Sequence, residues 1–215
     1  MSVTINYKNS SSKTNSFNLI MFSDENFNIS PLKKHISSYE HNFIKDLIKT
    51  MDNKKKILSF DISSKRKIIL VSLKKNIKNS DLENLGAKFY DLFKDAKQNT
   101  YNLNSNTISA KYKNLVGNFL HGLKLKSYTF EKYKTKKNIK NITINVTGTN
   151  KPSAKDQIKF KSIEQGTFYT RDLVSEPGNI LHPDEYAKRL NSLRKYGLKV
   201  RVYDEKKLKK LGMNT

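Results

Sequence analysis

Several residue types and patterns are missing from this chain of 215 residues, and each absence narrows what the protein can be. It contains no cysteine, which excludes disulfides and thiolate metal sites. No apolar run approaches the roughly 20 residues that a membrane helix needs. Residues 1–16 have no apolar core of the length that a signal peptide requires. We therefore expect a soluble, intracellular protein that has no membrane partner.

Acidic residues are also scarce. The chain has 42 Lys and Arg against 19 Asp and Glu, a formal net charge of +23. Such an excess invites a nucleic-acid interpretation. The lysines are spread along the whole chain, however, among many asparagines, isoleucines and serines. Because charge of this kind affects solubility and polyanion binding rather than fold, we expect only non-specific affinity for nucleic acid.

Motifs that carry catalytic chemistry are absent as well. The sequence has no P-loop, no GxGxxG and no nucleophile elbow. The four histidines are far apart or six residues apart, and we interpret each as a surface or packing residue: His35, His41, His121 and His182. Asp184 and Glu185 are adjacent, so they do not share a helix face and are interpreted as compensating a helix dipole. The sequence thus predicts no catalytic, cofactor-binding or metal-binding residue in this chain.

Strand-like and helix-like segments alternate through the first two thirds of the chain. Apolar runs or alternation predict strands at 17–22, 57–62, 67–73, 101–103 and 142–146. The run at 67–73 is expected to be a central strand covered on both faces, and the strand at 142–146 to be half-exposed. Residues 1–16 are expected to be frayed or to form an edge segment. The alternation predicts an α/β domain with a layered sheet and flanking helices.

Three helices are predicted inside this domain from apolar residues at helical spacing. The first spans 43–51. The second is opened by a capping box of Ser80 and Glu83, and its stripe consists of Leu82, Leu85, Phe89, Leu92 and Phe93. The third is an amphipathic helix with its stripe at Ile108, Tyr112, Leu115, Phe119 and Leu123.

A long helix and a hinge follow the first domain. The polar stretch 147–153 ends the domain, and Ser153 with Asp156 caps a helix that runs towards Val174. Pro177 disfavours helix at the residue before it, so this helix is expected to end at about Ser175. Pro183 suits the first position of the next helix, while His182 is a poor N-cap.

The last segment is predicted to be a helix, a strand and a helix. The first helix carries its stripe at 186–193 and stops at Gly197. Leu198, Val200 and Val202 alternate as a strand, and Asp204 caps a short helix. A unit of this size cannot bury both faces of its strand. Either it packs on the first domain or a partner domain is missing.

Three segments resemble the leucine (cytosol) aminopeptidase family. They are Leu82–Lys88 with its sequence LENLGAK, Gly122–Lys134 with GLKLKSYTFEKYK, and the hinge RDLVSEPGNILHPDEYAKRL continuing to Thr215. The resemblance implies a macrodomain-like α/β domain over 1–150, an interdomain helix and hinge over 151–180, and the truncated start of a catalytic domain over 181–215.

The same resemblance implies a function for the complete protein. The family removes N-terminal residues from peptides with two divalent metal ions, usually zinc, manganese or magnesium, and works in the cytoplasm as a homo-hexamer. Its metal-binding lysine and carboxylates lie beyond the point that matches Thr215, so none is transferred to this chain. The implied role of this segment is subunit assembly and positioning of the catalytic domain.

Two alternatives stay open at this point. The run Lys126–Lys140 interleaves lysines with Tyr128, Phe130 and Tyr133, which is the composition of a single-strand nucleic-acid platform as well as of an ordinary solvated loop. The chain could then be a stand-alone binding module. It could also be a family member retained as a non-catalytic subunit.

Overall fold

The computed structural model describes residues 3–8, 18–51, 55–108, 114–136 and 141–213. These residues form two compact units, Met1–Thr167 and Phe168–Thr215. The first unit is built on one six-stranded sheet with the strand order β1-β6-β5-β2-β4-β3. The domain boundaries expected at 150 and 180 stay predictions.

Five of the six strands run parallel, and β3 joins the edge antiparallel to β4. The strands are β1 (Val3–Tyr7), β2 (Asn18–Asp24), β3 (Ile57–Ser63), β4 (Arg66–Leu73), β5 (Thr100–Asn104) and β6 (Ile142–Thr147). The predicted α/β fold with a layered mixed sheet is confirmed. The N-terminal segment supplies an edge strand, and Phe17, the first residue of the strand predicted at 17–22, lies outside the described residues.

Helices cover both faces of the sheet. On one face α1 (Ser38–Thr50) and a 3-10 helix (Ser30–His35) pack over β2, β4 and β3. On the other face α2 (Asn79–Phe93) and α3 (Leu115–Lys126) pack over the strands from β1 to β4. The helix α4 (Ala154–Ser175) follows β6. Two apolar cores result, one on each side of the sheet.

The surroundings of β4 explain why its residues form such a continuous apolar run. Ile68 and Leu70 face the α1 side, whereas Ile69 and Val71 face the side of α2 and α3. Both faces are covered, as expected. The strand is not at the centre of the sheet, though, because only the hairpin partner β3 lies outside it.

The strand β6 is more buried than its alternating pattern predicts. Asn145 and Thr147, which were expected to face solvent, are each 7% exposed. The reason is that β6 lies between β1 and β5, and parallel ladders on both sides shield its polar residues. Asn145 also accepts a hydrogen bond from the side chain of Asn6 at 3.3 Å. The prediction of a half-exposed strand was wrong.

The start of α2 also differs from the prediction. The helix begins at Asn79 with Lys78 as its N-cap, and the Asp81 carboxylate accepts a hydrogen bond from the Lys78 N–H at 3.4 Å. The Ser80–Glu83 capping box is therefore wrong by two residues. Within the predicted stripe, Leu92 is 54% exposed, because it lies beside the buried face that Phe89 and Phe93 define.

The helix α3 begins at Leu115, later than the stripe from Ile108 predicted. Ile108 instead ends a 3-10 turn (Ser105–Thr107), and Tyr112 lies outside the described residues. Every residue from Leu115 to Leu123 is buried. The predicted amphipathic helix is in fact buried on all sides, since α2, α4 and the sheet surround it.

Among the described residues, no helix combines the length and the apolar character that crossing a membrane would require.

Candidate functional site at the hinge

The hinge segment is organised by proline and by backbone hydrogen bonds. The helix α4 ends at Ser175, as Pro177 led us to expect. The carbonyl oxygen of Pro177 then accepts hydrogen bonds from the N–H groups of Ile180 and Leu181, both at 2.9 Å. These two bonds close a compact turn that leads directly into the next helix, α5 (Pro183–Asn191).

The start of α5 follows the sequence prediction. Pro183 occupies the first turn, and the His182 side chain makes no capping hydrogen bond. Asp184 and Glu185 lie in the first turn, where the positive end of the helix dipole favours carboxylates. The proline and the two acids thus stabilise the start of α5, which the His182 side chain does not cap.

Arg189 connects the residues on both sides of this turn through hydrogen bonds, and it was not among the residues singled out from the sequence. Its Nη1 donates to Glu176 Oε1 at 2.9 Å, and its Nε donates to Glu185 Oε1 at 3.0 Å. The Tyr169 hydroxyl donates to the Arg189 carbonyl oxygen at 3.0 Å. The guanidinium fork can hold two carboxylates at once because its donors have a fixed planar geometry. The spacing of Glu185 and Arg189, four residues apart on a helix, was a signal that could have identified the pair.

The electrostatics of the hinge follow from this fork. The hydrogen bond from Arg189 is the main cause that holds the pKa of Glu185 below its ordinary value, with Lys188, Arg189 and His182 adding charge. The hydrogen bonds to Glu176 and Glu185 raise the pKa of Arg189 further above its already high ordinary value. The charged forms of Glu185 and Arg189 are therefore both favoured by their mutual hydrogen bond.

The residues after α5 agree only in part with the prediction. Gly197 ends a 3-10 helix (Ser192–Tyr196) with a φ of 83°, a conformation that favours glycine. Asp204 caps α6 (Glu205–Lys210) by accepting from the Lys207 N–H at 2.9 Å. The strand expected at 198–202 is wrong, since these residues have no strand assignment. A strand needs a neighbour for its backbone groups, and the apolar Leu198 and Val202 are about half-exposed, at 55% and 49%.

The other two segments of the resemblance face each other in the fold. Gly86 of α2 and Gly122 of α3 lie where these helices cross. A Cβ placed on Gly86 would lie 1.9 Å from the Phe119 carbonyl oxygen, and one on Gly122 would lie 1.9 Å from the Glu83 carbonyl oxygen. Only glycine permits backbones to approach this closely. The glycines in these two sequence segments therefore specify one helix-helix contact.

The basic aromatic segment combines packing and exposure. Phe130 and Tyr133 pack edge to face with ring centroids 5.7 Å apart, and Lys134 pairs with Glu131 at 3.0 Å. Tyr133 is nevertheless 50% exposed, and the Lys132 ammonium lies 5.4 Å from the centre of its ring. Residues 137–140 of the predicted platform lie outside the described residues.

The histidines have separate surroundings. His121 is buried in α3, where its Nδ1 lies 3.2 Å from Glu164 Oε1 of α4 and its ring lies 5.3 Å from that of Phe160. His35 and His41 each have a buried Nε2 without a hydrogen-bond partner in the described part of the chain. Burial is the main cause that lowers the pKa of His35, and nearby Lys34 adds to it. Within the described ranges, no three His, Asp or Glu side chains are grouped so that they could hold a metal ion.

Sequence comparison finds relatives that match part of this chain, although no protein-family model matches it. A probable cytosol aminopeptidase of Agrobacterium fabrum is 40% identical over 107 residues, which are 46% of this chain and 21% of that protein. One of Brucella ovis is 41% identical over 100 residues, or 43% of this chain and 20% of that protein. The match therefore spans about a fifth of the length of these curated relatives.

Comparison with solved structures covers nearly the whole chain. A mutant of tomato leucine aminopeptidase matches with a TM-score of 0.73 at 18% identity, over 98% of this chain and 46% of that one. The cytosol aminopeptidase of Coxiella burnetii matches with a TM-score of 0.62 at 14% identity, over 95% of this chain and 41% of that one. At these identities the structural matches show a shared fold.

Proposed function

We propose that this chain, whose resemblance to the leucine (cytosol) aminopeptidases is confirmed by sequence and by fold, is the N-terminal part of a metal-dependent aminopeptidase. The observation that carries the proposal is the identity of about 40% to probable cytosol aminopeptidases over about 100 residues. The complete enzyme would remove N-terminal residues of the leucine type from peptides in the cytosol. Residues 1–150 form its N-terminal domain, 151–180 the linker helix and hinge, and 181–215 the entry into the catalytic domain.

The metal chemistry of the complete enzyme would lie outside this chain. A two-metal site needs several carboxylates or histidines in one place. The described residues do not provide such a group. The bound metal ions would activate water and polarise the peptide carbonyl. The residues of this chain would contribute by holding the catalytic domain in place and by forming contacts between subunits of a homo-hexamer.

The exposed apolar residues after the hinge support this division of roles. Within 181–213 no residue is buried. Leu198, Val202 and Leu211 are each close to half-exposed, at 55%, 49% and 52%. Burial of an apolar side chain of this size contributes roughly 1.5–3 kcal/mol, so several of them exposed in one short segment indicate a surface that another part of the protein covers. The rest of a catalytic domain would supply that cover.

The first experiment is to measure the intact mass of the native protein in its source cells, and its activity on a leucyl amide with Mn²⁺. We expect a mass of roughly twice the 24.9 kDa of this chain, with activity in the native protein and none in the 215-residue chain. Metal-dependent hydrolysis by the 215-residue chain would refute the placement of the active site. A native mass of 24.9 kDa without activity would leave a non-catalytic family member or a binding module.

A pair of variants tests the proposed cover directly. Val202→Ser should leave the stability of the 215-residue chain almost unchanged, because the side chain is 49% exposed there. In the complete protein the same change should cost about 1–3 kcal/mol, since the side chain would be buried. Tyr39→Ser is the control, because Tyr39 is a 70% exposed residue of α1, and it should have the same effect in both proteins. Equal effects of Val202→Ser in both proteins would contradict the proposal.

A stand-alone nucleic-acid module is the second candidate, and the exposed Tyr133 with Lys132 against its ring favours it. Such a module should bind single strands with a steep inverse dependence on salt. Affinity should fall when Lys132, Lys134, Lys136 and Lys137 are neutralised together. An affinity that is the same with and without these four changes would exclude this candidate and leave only non-specific affinity from the overall charge.

A further inference from the structure

The sheet has a topological switch point at β2. From β2 the chain passes through α1 on one face and reaches β4 by way of β3, on one side of β2. From β4 it passes through α2 on the opposite face and returns to β5, on the other side of β2. In open α/β sheets, ligands bind outside the carboxyl ends of the strands at such a point, because the two connections diverge there and leave a crevice.

A cleft of about 380 Å³ lies at this point. It is formed by the end of β2 with Ser23 and Asp24, the end of β4 with Leu73, and Thr107 and Ile108 after β5. Its volume falls within the usual range of about 300–1,000 Å³ for small-molecule sites. The switch point and the cleft therefore coincide.

The charge of this cleft is the reverse of the charge of the chain. Its lining includes the two acids Asp24 and Glu25, the amides of Asn26 and Asn28, and a single lysine, Lys75. The whole chain has 42 basic residues against 19 acidic ones, so a lining with more acids than bases is a departure from its composition. Two carboxylates beside one another favour a cationic ligand over an anionic one.

The loop geometry argues against phosphate. Asp24 Oδ1 accepts hydrogen bonds from the N–H groups of Asn26 at 3.1 Å and Asn28 at 2.8 Å. Loops that bind phosphate offer such N–H groups to the ligand, whereas here a carboxylate of the protein occupies them. Phe27, between the two, is 2% exposed and packs into the core with a φ of 55°. A buried aromatic ring thus holds the loop in place.

The interior of the cleft adds an apolar wall and an unsatisfied hydroxyl. Phe22, Leu32, Leu73 and Ile108 line it, and each is at most 7% exposed. Ser23 also lines the cleft and is 8% exposed, and its Oγ has no hydrogen-bond partner among the residues that the structure describes. A buried hydroxyl without a partner costs about 1–3 kcal/mol, so natural structures seldom retain one without a reason.

We propose that this cleft binds a small molecule with a primary ammonium group and a short apolar body, which is the chemistry of a hydrophobic α-amino acid or of the first residue of a peptide. The ammonium lies against Asp24 and Glu25, because a hydrogen bond between an ammonium and a carboxylate is stronger than one between neutral groups. The apolar body contacts Leu32, Leu73 and Ile108. This binding site is separate from the proposed peptidase chemistry and goes beyond it.

The test is titration of the 215-residue chain, followed by NMR, with leucine, leucinamide, N-acetylleucine and inorganic phosphate. We expect leucine or leucinamide to shift the signals of Ser23, Leu73 and Ile108. N-acetylleucine and phosphate should not shift them, because neither carries an ammonium group. Tighter binding of leucine assigns the cleft to free amino acids, and tighter binding of leucinamide assigns it to peptide N-termini.

A matched pair of variants shows whether the acid at the cleft is responsible. Glu25→Gln should weaken binding about tenfold, the effect of losing one charge-assisted hydrogen bond. Asp46→Asn removes the same charge from an exposed position on α1, where the carboxylate pairs with Lys49, and should leave binding unchanged. Comparable binding of N-acetylleucine, binding of phosphate at these residues, equal effects of the two variants, or no binding at millimolar leucine and leucinamide would each overturn the proposal. No outcome depends on peptidase activity, so the proposed function is tested separately.

Discussion

Replacing Gly86 by alanine tests the helix crossing on which the first unit depends. The added Cβ would lie 1.9 Å from the Phe119 carbonyl oxygen and 2.8 Å from the Leu123 nitrogen, whereas ordinary contacts begin at about 3.4 Å. Both obstacles are backbone atoms, so no side-chain rotation relieves them. The helices α2 and α3 must move apart by more than an ångström, and the buried rings between them lose contact.

The magnitude follows from two opposing effects. Overpacking of this kind costs about 1–3 kcal/mol, and a contact this short falls at the upper end of that range. Alanine in a helix gains about 1 kcal/mol over glycine. We therefore expect Gly86→Ala to lower the free energy of unfolding by about 2 kcal/mol, which is about 4–8 °C in Tm for a protein of this size.

Gly166 in α4 provides the matched control, because a Cβ there would meet nothing within 4 Å. Gly166→Ala is the same chemical change in a helix of the same unit. It should raise the free energy of unfolding by about 1 kcal/mol. The assay is thermal and urea denaturation of both variants, followed by circular dichroism. If Gly86→Ala is as stable as the unchanged protein, the close approach of the two backbones is wrong.

Three further predictions concern ionisable and capping groups. Burial by itself would raise the pKa of Glu40, but hydrogen bonds from Arg66 and Ser37 outweigh it and hold the pKa below the ordinary 4.5. Glu40→Gln should therefore destabilise the protein at pH 7 and much less at pH 3, as measured by urea denaturation at both pH values. Equal losses of stability at the two pH values would contradict the ion pair. Burial raises the pKa of Tyr101 to about 12, so the unfolded state loses its proton first and stability falls as pH rises from 10 to 12. This fall in the free energy of unfolding per pH unit should be smaller in Tyr101→Phe. An unchanged pH dependence would show that Tyr101 is not responsible. Asp204→Ala removes the cap of α6 and should cost about 1 kcal/mol of helix stability. The Lys207 amide should then lose its protection against hydrogen exchange. Unchanged protection would show that the cap contributes nothing.

Sequence reasoning identified most elements because their signals are local. The apolar run of β4, the cap formed by Ser153 and Asp156, and the stops at Pro177 and Gly197 all depend on residues close together in the chain. Ser153 Oγ accepts from the Asp156 N–H at 3.1 Å, as the pattern predicted. Such signals survive in almost any tertiary context, because they act through backbone geometry and hydrogen bonds within one turn.

The errors share one cause, which is burial by distant segments. The polar residues of β6 are covered because β1 and β5 pair with it, and β1 is more than 130 residues away in sequence. The helix α3 is buried on all sides because Gly86 and Gly117 allow neighbours to approach it. Residues 198–202 alternate like a strand but have no neighbour among the described residues with which to pair. A periodic pattern states which residues can be buried, not what covers them.

The sequence by itself determined the α/β class, the end of α4 at Ser175 and the start of α5 at Pro183, since proline, glycine and capping residues restrict the backbone wherever they occur. The three segments that resemble the aminopeptidases also belong to the sequence alone. Only the tertiary structure brought Gly86 against α3, joined Arg189 to Glu176, and placed Asp24, Leu73 and Ile108 around one cleft at the switch point. Contacts of this kind depend on how strands are ordered and helices packed, and the order of strands in a sheet is not a local property of the chain.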